Sequence, residues 1–444
     1  MINNIINENY NLLSFYKQVD ESRRLDNSFA LEDDEPLTAE EKKEIDEFWG
    51  KYKFAYPNID YKSFQTFKNR FGKFDVRHCP GAIRTHYLNK WFNSNAYMVS
   101  GQNKAMLPMM YPNIKQPRTL IRRMCGLYYD ENYNNISIED AINIILTTVK
   151  SGDSLILKPS NKGGGKGIVF IYPTDSRESV QDKIKAVGIG AFVIQEILEQ
   201  SGFMKAFNPT SVNTIRATTM LFKGKVYLLA ALIRIGKVGN KVDNYSQGGS
   251  ILGVDKETGR CNDWALTHSN QRITKLPSGL DLSAKTYVVP NYEKIKEAVQ
   301  KAHYYMPYIK MISWDIALDT KNEPVLIENN FAGMIQIHEA VTGPLFGDLT
   351  EPILDTYLLN NFSVEFDSGE WKCKEFYNGI VLTEYTGSAE EVFVPKMINN
   401  KIVTKIDSIA FGKYKKIKKI SIPALVAKKS ATVLNKVDII EKRG

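Results

Sequence analysis

Trp314-Asp315-Ile316-Ala317-Leu318, the polar turn Asp319 to Glu323, and Val325-Leu326-Ile327-Glu328-Asn329-Asn330 form the stretch on which the fold of this chain turns. It reads as two strands of alternating apolar character joined by a turn, so an antiparallel hairpin is expected. Period-two alternation then aims Asp315 and Glu328 toward the same open end of a sheet, with Asn330 beside them. Two carboxylates and an amide oxygen are hard ligands suited to Mg²⁺, which keeps water and phosphate oxygens as its other ligands. Taken alone, the stretch is equally a hairpin whose acids face water.

Upstream, Ser154-Leu155-Ile156-Leu157-Lys158-Pro159 reads as a buried strand ending in a lysine. A loop follows, Ser160-Asn161-Lys162-Gly163-Gly164-Gly165-Lys166-Gly167, and then the β-rich run Ile168-Val169-Phe170-Ile171. Glycines 163, 164, 165 and 167 let backbone N–H groups turn toward one point, as in a nest that holds phosphate oxygens. It is not a Walker-type P-loop, because no Ser or Thr follows Lys166 and the loop joins two strands. The alternative is a glycine-rich hairpin with no ligand. Lys158 is the sharper signal, since a lysine on the buried side of a strand calls for an anion. Farther on, Ala191-Phe192-Val193-Ile194-Gln195-Glu196-Ile197-Leu198 is an apolar strand ending in Gln-Glu. Ser211-Val212-Asn213-Thr214-Ile215-Arg216 then leads into the strand Ala217 to Phe222. Asn213 and Arg216 are polar residues in a strand-forming segment, either satisfied in the core or lining a cleft.

In this order the pieces resemble the ATP-grasp superfamily, and in particular its sugar-transfer-associated branch. The resemblance runs through Lys158-Pro159, the Gly163 to Gly167 loop, Gln195-Glu196 and Asn208-Pro209-Thr210-Ser211-Val212-Asn213-Thr214-Ile215-Arg216. It continues through Asp243-Asn244-Tyr245-Ser246-Gln247-Gly248-Gly249, Trp314-Asp315-Ile316-Ala317 and Ile327-Glu328-Asn329-Asn330, spanning roughly Gln102 to Leu359. It implies an α/β (α+β) ATP-grasp fold, with ATP between two α+β subdomains. Lys158 would contact the triphosphate under the glycine loop, and Lys104 would supply a second phosphate lysine. Gln195, Glu196, Ile197 and Leu198 would form the adenine-binding hinge. Asp315, Glu328 and Asn330 would carry Mg²⁺. Relatives similar to D-alanine ligases place an arginine two residues before the first metal acid, where this chain has Ser313. Arg216 is the expected replacement, with Arg234 as the alternative, and Lys158 and Asn213 complete the catalytic set. Asp243, Asn244, Gly248 and Gly249 form a second loop that, with Asn329, Gly333, Gln336 and His338, would border the acceptor pocket.

The implied chemistry is ATP-dependent joining of a carboxylate to an amine through an acyl phosphate. Phosphoryl transfer needs charge neutralisation and in-line positioning more than covalent help from the protein. Accordingly, no Ser-His-Asp or Cys-His arrangement is evident. The branch suggests a uronic acid and an amino acid or other small amine, in bacterial capsule or surface-polysaccharide synthesis. Two other readings remain: a ligase adding amino acids to a peptide or protein, and a catalytically silent scaffold.

The frame agrees with a globular enzyme. The 444 residues allow two or three domains, 43% of them are hydrophobic, and no apolar run reaches the length of a membrane span. Met1 to Glu8 shows no basic start or apolar core of a secretory signal, and Cys79, Cys125, Cys261 and Cys373 lack Cys-x-x-Cys spacing. A cytoplasmic protein with reduced thiols is expected. The net charge of +8 is modest, and no nucleic-acid-reading motif is present. Thr38-Ala39-Glu40-Glu41 is a capping box with Ile45, Phe48, Trp49 and Tyr52 at helical spacing, so residues 1–100 should be mostly helical. The basic, aromatic region from Phe64 to Trp91, with Arg70, Lys73, Arg77, His78, Arg84 and His86, is a solvated face or an anion site. Residues 101–361 would be the ATP-grasp domain. In 370–444, Glu391-Val392-Phe393-Val394-Pro395 recurs as Lys419-Ile420-Ser421-Ile422-Pro423, resembling a short bacterial leucine-rich-repeat module. With barely two coils, such a module would dock on the ligase, a second subunit or a protein partner. The lysines from Lys413 to Lys429 would be its solvated face or a contact for an acidic ligand.

Overall fold

The computed structural model describes residues 29–443 except 54–58, 82, 94–96, 99–100, 102, 161–164, 189, 241–242, 244, 332–335, 360–362, 413–416 and 431–438. The chain forms two compact units, one of residues up to Leu37 and Tyr61–Gly347, the other of Thr38–Asp60 and Asp348–Gly444.

The first unit carries two antiparallel sheets. One has strands β1 (Thr119–Met124), β2 (Leu127–Tyr129), β3 (Asn135–Ile136), β4 (Leu155–Pro159), β5 (Val169–Ile171) and β6 (Phe192–Glu196), in the order β3-β2-β1-β6-β4-β5. Alternation in β4 decides what each face does. Leu155 and Leu157 enter a core with Phe192, Ile194 and the buried stripe Ala141, Ile142, Ile145 and Val149 of the helix Ile138–Lys150. Ile156 and Lys158 point the other way. That helix starts at a capping box, Ser137 with Asp140, which satisfies two of its orphan N–H groups.

The second sheet has β7 (Thr214–Phe222), β8 (Lys225–Ile235), β9 (Ser250–Val254), β10 (Cys261–Thr267), β11 (Arg272–Ile273), β12 (Met311–Leu318) and β13 (Pro324–Asn330), in the order β11-β10-β9-β8-β7-β12-β13. The β12–β13 hairpin is antiparallel as expected, with Asp315 opposite Glu328 and Ser313 opposite Asn330; Ile316 pairs with Leu326, so Ile327 bulges. One sheet face packs Ile215, Ala217, Trp314, Ile316 and Leu326 against Ile295, Val299 and Ala302 of the helix Tyr292–His303. On the other, Arg216 is directly opposite Asp315 and Thr214 directly opposite Arg234, while Leu232 and Ile251 pack with Ile337, Ala340 and Val341.

The basic region after Phe64 is neither a solvated face nor an anion site at Arg70 and Arg84. Arg70 is buried against Asp34, and Arg84 donates to the buried Glu339 at 3.4 Å. Glu339 also accepts from the Cys79 and Leu345 amides, so this acid stitches three segments together.

In the second unit, Thr38 and Glu41 form the expected capping box of the helix Ala39–Gly50, which buries Ile45 and Trp49. The sheet β14 (Val364–Ser368), β15 (Trp371–Phe376), β16 (Gly379–Tyr385), β18 (Met397–Ile398) and β19 (Lys401–Ile406) runs in the order β14-β15-β16-β19-β18. A parallel three-stranded sheet joins β17 (Glu391–Phe393), β20 (Lys419–Pro423) and β21 (Ile439–Arg443). Its register sets Glu391, Val392 and Phe393 beside Lys419, Ile420 and Ser421, so the two copies of the repeat stack on each other. Among the described residues, no helix is long and apolar enough to cross a membrane.

Candidate active site

A cavity of about 380 Å³ opens in the first unit, walled by both sheets. From the first come Ile156 and Lys158 of β4, Phe170 of β5, Glu196 at the end of β6, then Ile197 and Leu198. From the second come Thr214, Arg234, Asp315 and Glu328, with the bulged Ile327. Its lining is of two kinds: Ile156, Ile168, Phe170, Tyr172 and Ile327 give an apolar slot, while Lys104, Lys158, Arg234, Asp243, Asp315 and Glu328 are ionisable. An aromatic base with a polyanionic tail has this polarity.

Arg118 braces Glu196 at the cavity wall. Arg118 Nη1 donates to Glu196 Oε1 at 3.1 Å, and the Glu196 amide donates to the Arg118 carbonyl at 3.1 Å. Lys158 sits on the wall without a hydrogen-bonding side-chain partner among the described residues. Desolvation lowers its ammonium to about 8, against the opposing pull of Glu328 and with the push of Lys104. Lys104 Nζ lies 3.1 Å from Glu328 Oε2. In the glycine loop, Gly165 and Gly167 have φ of +73° and +75°, which a side chain would strain, and Gly165 and Lys166 line the cavity. Gly163 and Gly164 lie outside the described residues.

Asp315 is the most heavily engaged group. Arg216 donates Nε to Oδ1 and Nη2 to Oδ2, both at 2.8 Å; Arg234 Nη1 donates to Oδ2 at 2.9 Å and Asn330 Nδ2 at 3.2 Å. Burial alone would push this carboxyl up, but the two guanidiniums outweigh it and hold it below the usual carboxylate range. Among the described residues, Asp243 has the Thr214 hydroxyl and a 3.4 Å contact with Arg234, and burial holds its carboxyl above the usual range.

Of the residues singled out in the sequence, Lys104, Lys158, Gly165, Glu196, Ile197, Leu198, Asp243, Asp315 and Glu328 converge on this cavity. Others do not reach the wall. Arg216 lies beneath Asp315, and Asn330 beside it. Asn213 is fully buried, donating Nδ2 to Gln200 Oε1, the Met204 carbonyl and the Asn208 carbonyl at 2.8–3.1 Å. Gln195 donates to Thr119, Asn329 to the Gly101 carbonyl and Tyr111, and buried His338 meets Thr218. Gln336 is buried at the start of the helix Gln336–Thr342, and Gly248 and Gly249 lie in the turn before β9. Asn244 and Gly333 lie outside the described residues. Sequence reasoning passed over Ile156 and Phe170, which face each other across β4 and β5; period two from Lys158 points to Ile156 directly.

The model of the sugar-transfer associated ATP-grasp family matches residues 109–349, more than half of the chain. The chain belongs to this family. No curated protein matches the sequence of this ATP-grasp chain. Among solved structures it is similar to D-alanyl-alanine synthetase A from Vibrio cholerae O1 biovar eltor, at 14% identity and a TM-score of 0.37, covering 59% of this chain and 66% of that one. It is also similar to the ATP-grasp ligase PsnB complexed with minimal precursor, at 12% identity and a TM-score of 0.34, covering 70% and 75%. D-cycloserine synthetase DcsG is similar at 10% identity and a TM-score of 0.34, covering 57% and 70%. The ATP-grasp chain thus spans just under two thirds of the Vibrio synthetase.

Two carboxylates and one amide stand together at the charged end, and among the described residues no three His, Cys, Asp or Glu side chains converge on one point. This donor set fits a hard divalent cation that takes its remaining ligands from phosphate and water.

Proposed function

We propose that this protein is an ATP-dependent carboxylate–amine ligase that releases ADP and phosphate, with ATP and Mg²⁺ as its cofactors. The observation that carries the proposal is the cavity whose lining joins an apolar slot to Lys104, Lys158, Arg234, Asp315 and Glu328. Adenine fits the slot beside the Ile197–Leu198 backbone, and the triphosphate fits the lysines. Bound at Glu328, Asp315 and Asn330, Mg²⁺ would neutralise phosphate charge. Lys158 and Lys104 hold the phosphate tail, and the loop at Gly165 shields it from water. Transfer of the γ-phosphoryl group to a carboxylate gives an acyl phosphate and ADP. An amine then attacks the acyl carbon, phosphate leaves with the C–O bond electrons, and the nitrogen loses a proton. Arg234 is the guanidinium on the wall near the transferring group, and Arg216 fixes Asp315 from below.

We further propose a uronic acid as the carboxylate and an amino acid or other small amine as the nucleophile, in bacterial surface-polysaccharide synthesis. The family's association with sugar transfer supports this choice. The stacked repeat copies of β17 and β20 support reading residues 370–444 as a short leucine-rich-repeat-like module, with a role in protein contacts.

The test is phosphate release from ATP and Mg²⁺ across a matrix of nucleotide-linked uronic acids and amino acids, with product mass. Release that requires both partners, with a mass matching amide formation, is expected. ATP binding without release from any pair refutes the uronic acid assignment and favours a peptide or polymer acceptor. Absence of ATP binding refutes the ligase.

A further inference from the structure

Arg234 stands between two carboxylates of unequal supply. Its Nη1 donates to Asp315 Oδ2 at 2.9 Å, and its Nη2 lies 3.4 Å from Asp243 Oδ1. Asp315 does not depend on Arg234 for charge balance, because Arg216 already grips both of its oxygens at 2.8 Å. With Asn330 added, Asp315 Oδ2 accepts three hydrogen bonds. An ionised carboxylate offers about two lone-pair sites per oxygen, so this one is oversubscribed. Asp243, by contrast, holds among the described residues the Thr214 hydroxyl and the long Arg234 contact, and burial, aided by the nearby Asp315 charge, lifts its carboxyl.

We propose that Arg234 is a two-seat counter-ion, which moves from Asp315 to Asp243 when a nucleotide-bound divalent cation occupies the Asp315–Glu328 acids. The inference rests on reading the cavity as an ATP–metal site. A cation on Asp315 competes with both guanidiniums for the same oxygens, and like charges at contact distance repel. Arg216 is the harder one to displace: its grip is bidentate, and strand register sets it opposite Asp315. Arg234 holds Asp315 by one bond and already touches its second seat. Thr214, its cross-strand partner, is bonded to Asp243 and keeps that seat in place. The arrangement makes Asp315 a poor ligand for free metal and a good one for metal arriving with phosphate, so the two enter together.

Mn²⁺ binding to the full chain, followed by electron paramagnetic resonance with and without AMP-PNP, tests this. Arg234→Gln is expected to bind Mn²⁺ alone at least tenfold more tightly than the wild type. Asp243→Asn removes the second seat, and is expected to weaken Mn²⁺–AMP-PNP binding about tenfold in the wild-type background but less than twofold in Arg234→Gln. Equal Mn²⁺ affinity in wild type and Arg234→Gln overturns the proposal, as does an equal effect of Asp243→Asn in both backgrounds. If Arg234→Gln does not fold, Asp243→Asn alone decides: unchanged Mn²⁺–AMP-PNP affinity overturns the two seats. Failure of the folded wild type to bind AMP-PNP at all refutes instead the ATP reading beneath.

Discussion

Raising the pH from 7 to 9 should weaken nucleotide binding about tenfold through Lys158 alone. In the ligand-free cavity, desolvation brings its ammonium from 10.5 down to about 8. The folded chain thus carries a cost on the order of 3 kcal/mol for keeping this lysine charged below pH 8. The sign follows from the depressed value: that cost is fully present below the folded pKa and fades as pH rises toward the unfolded one. Triphosphate binding requires the charged form and raises its pKa, so the complex takes up a proton when it forms above pH 8. With a free-state pKa of 8, the charged fraction falls about tenfold between pH 7 and pH 9, or about 1.4 kcal/mol of binding free energy. Isothermal titration of AMP-PNP in two buffers of different ionisation enthalpy measures both the affinity slope and the proton uptake. Lys158→Arg, charged at every pH used, should bind with a flat profile. A flat wild-type profile, or the same slope in Lys158→Arg, would refute the reasoning.

Three further substitutions separate roles within the site. Glu328→Gln keeps the shape of a partly exposed side chain paired to Lys104, so it should leave the melting temperature nearly unchanged and cut Mg²⁺-dependent phosphate release at least roughly a hundredfold; normal turnover would sink the metal assignment. Asn213→Ala removes three buried hydrogen bonds and should cost on the order of 3 kcal/mol, seen as a melting temperature lower by roughly 6–12 °C. A variant of unchanged stability that has lost turnover would instead return Asn213 to catalysis. Arg84→Met removes the guanidinium beside the buried Glu339 carboxylate and should destabilise the first unit by about 3–5 kcal/mol in urea melts; a loss under about 1 kcal/mol would show that the other partners of Glu339 suffice for that acid.

The hairpin at Asp315 and Glu328 was legible because two local rules act on it together. Alternation sets which face a residue takes, and a five-residue polar turn allows only a neighbouring antiparallel partner. The same rules place Lys158 opposite Leu157 on β4, and the Thr38 cap follows from spacing along one helix. Even the stacking of Val392 beside Ile420 was foreshadowed, since a repeat that buries one face must stack on its neighbour. Arg216 and Arg234 were visible as candidates but not in their final roles. The register of β7 against both β8 and β12 decides that one lies under Asp315 and the other on the cavity wall.

Asn213 shows the limit most sharply. In sequence it is one of several polar residues in the Asn208 to Arg216 segment; in space its amide closes a turn between Gln200, Met204 and Asn208 and does not line the cavity. Arg70 and Arg84, read as surface charge, find acids at Asp34 and Glu339 that lie far away along the chain. By itself, then, the sequence determined the strands, their faces, the Thr38 cap and the chemical kinds of side chain at the charged part of the cavity, because those follow from covalent periodicity and local hydrogen bonding. Tertiary structure alone decided which charges pair and which carboxylate takes the larger share of the guanidiniums, because ion pairing depends on distances of a few ångströms between residues that the chain separates by tens to hundreds of positions.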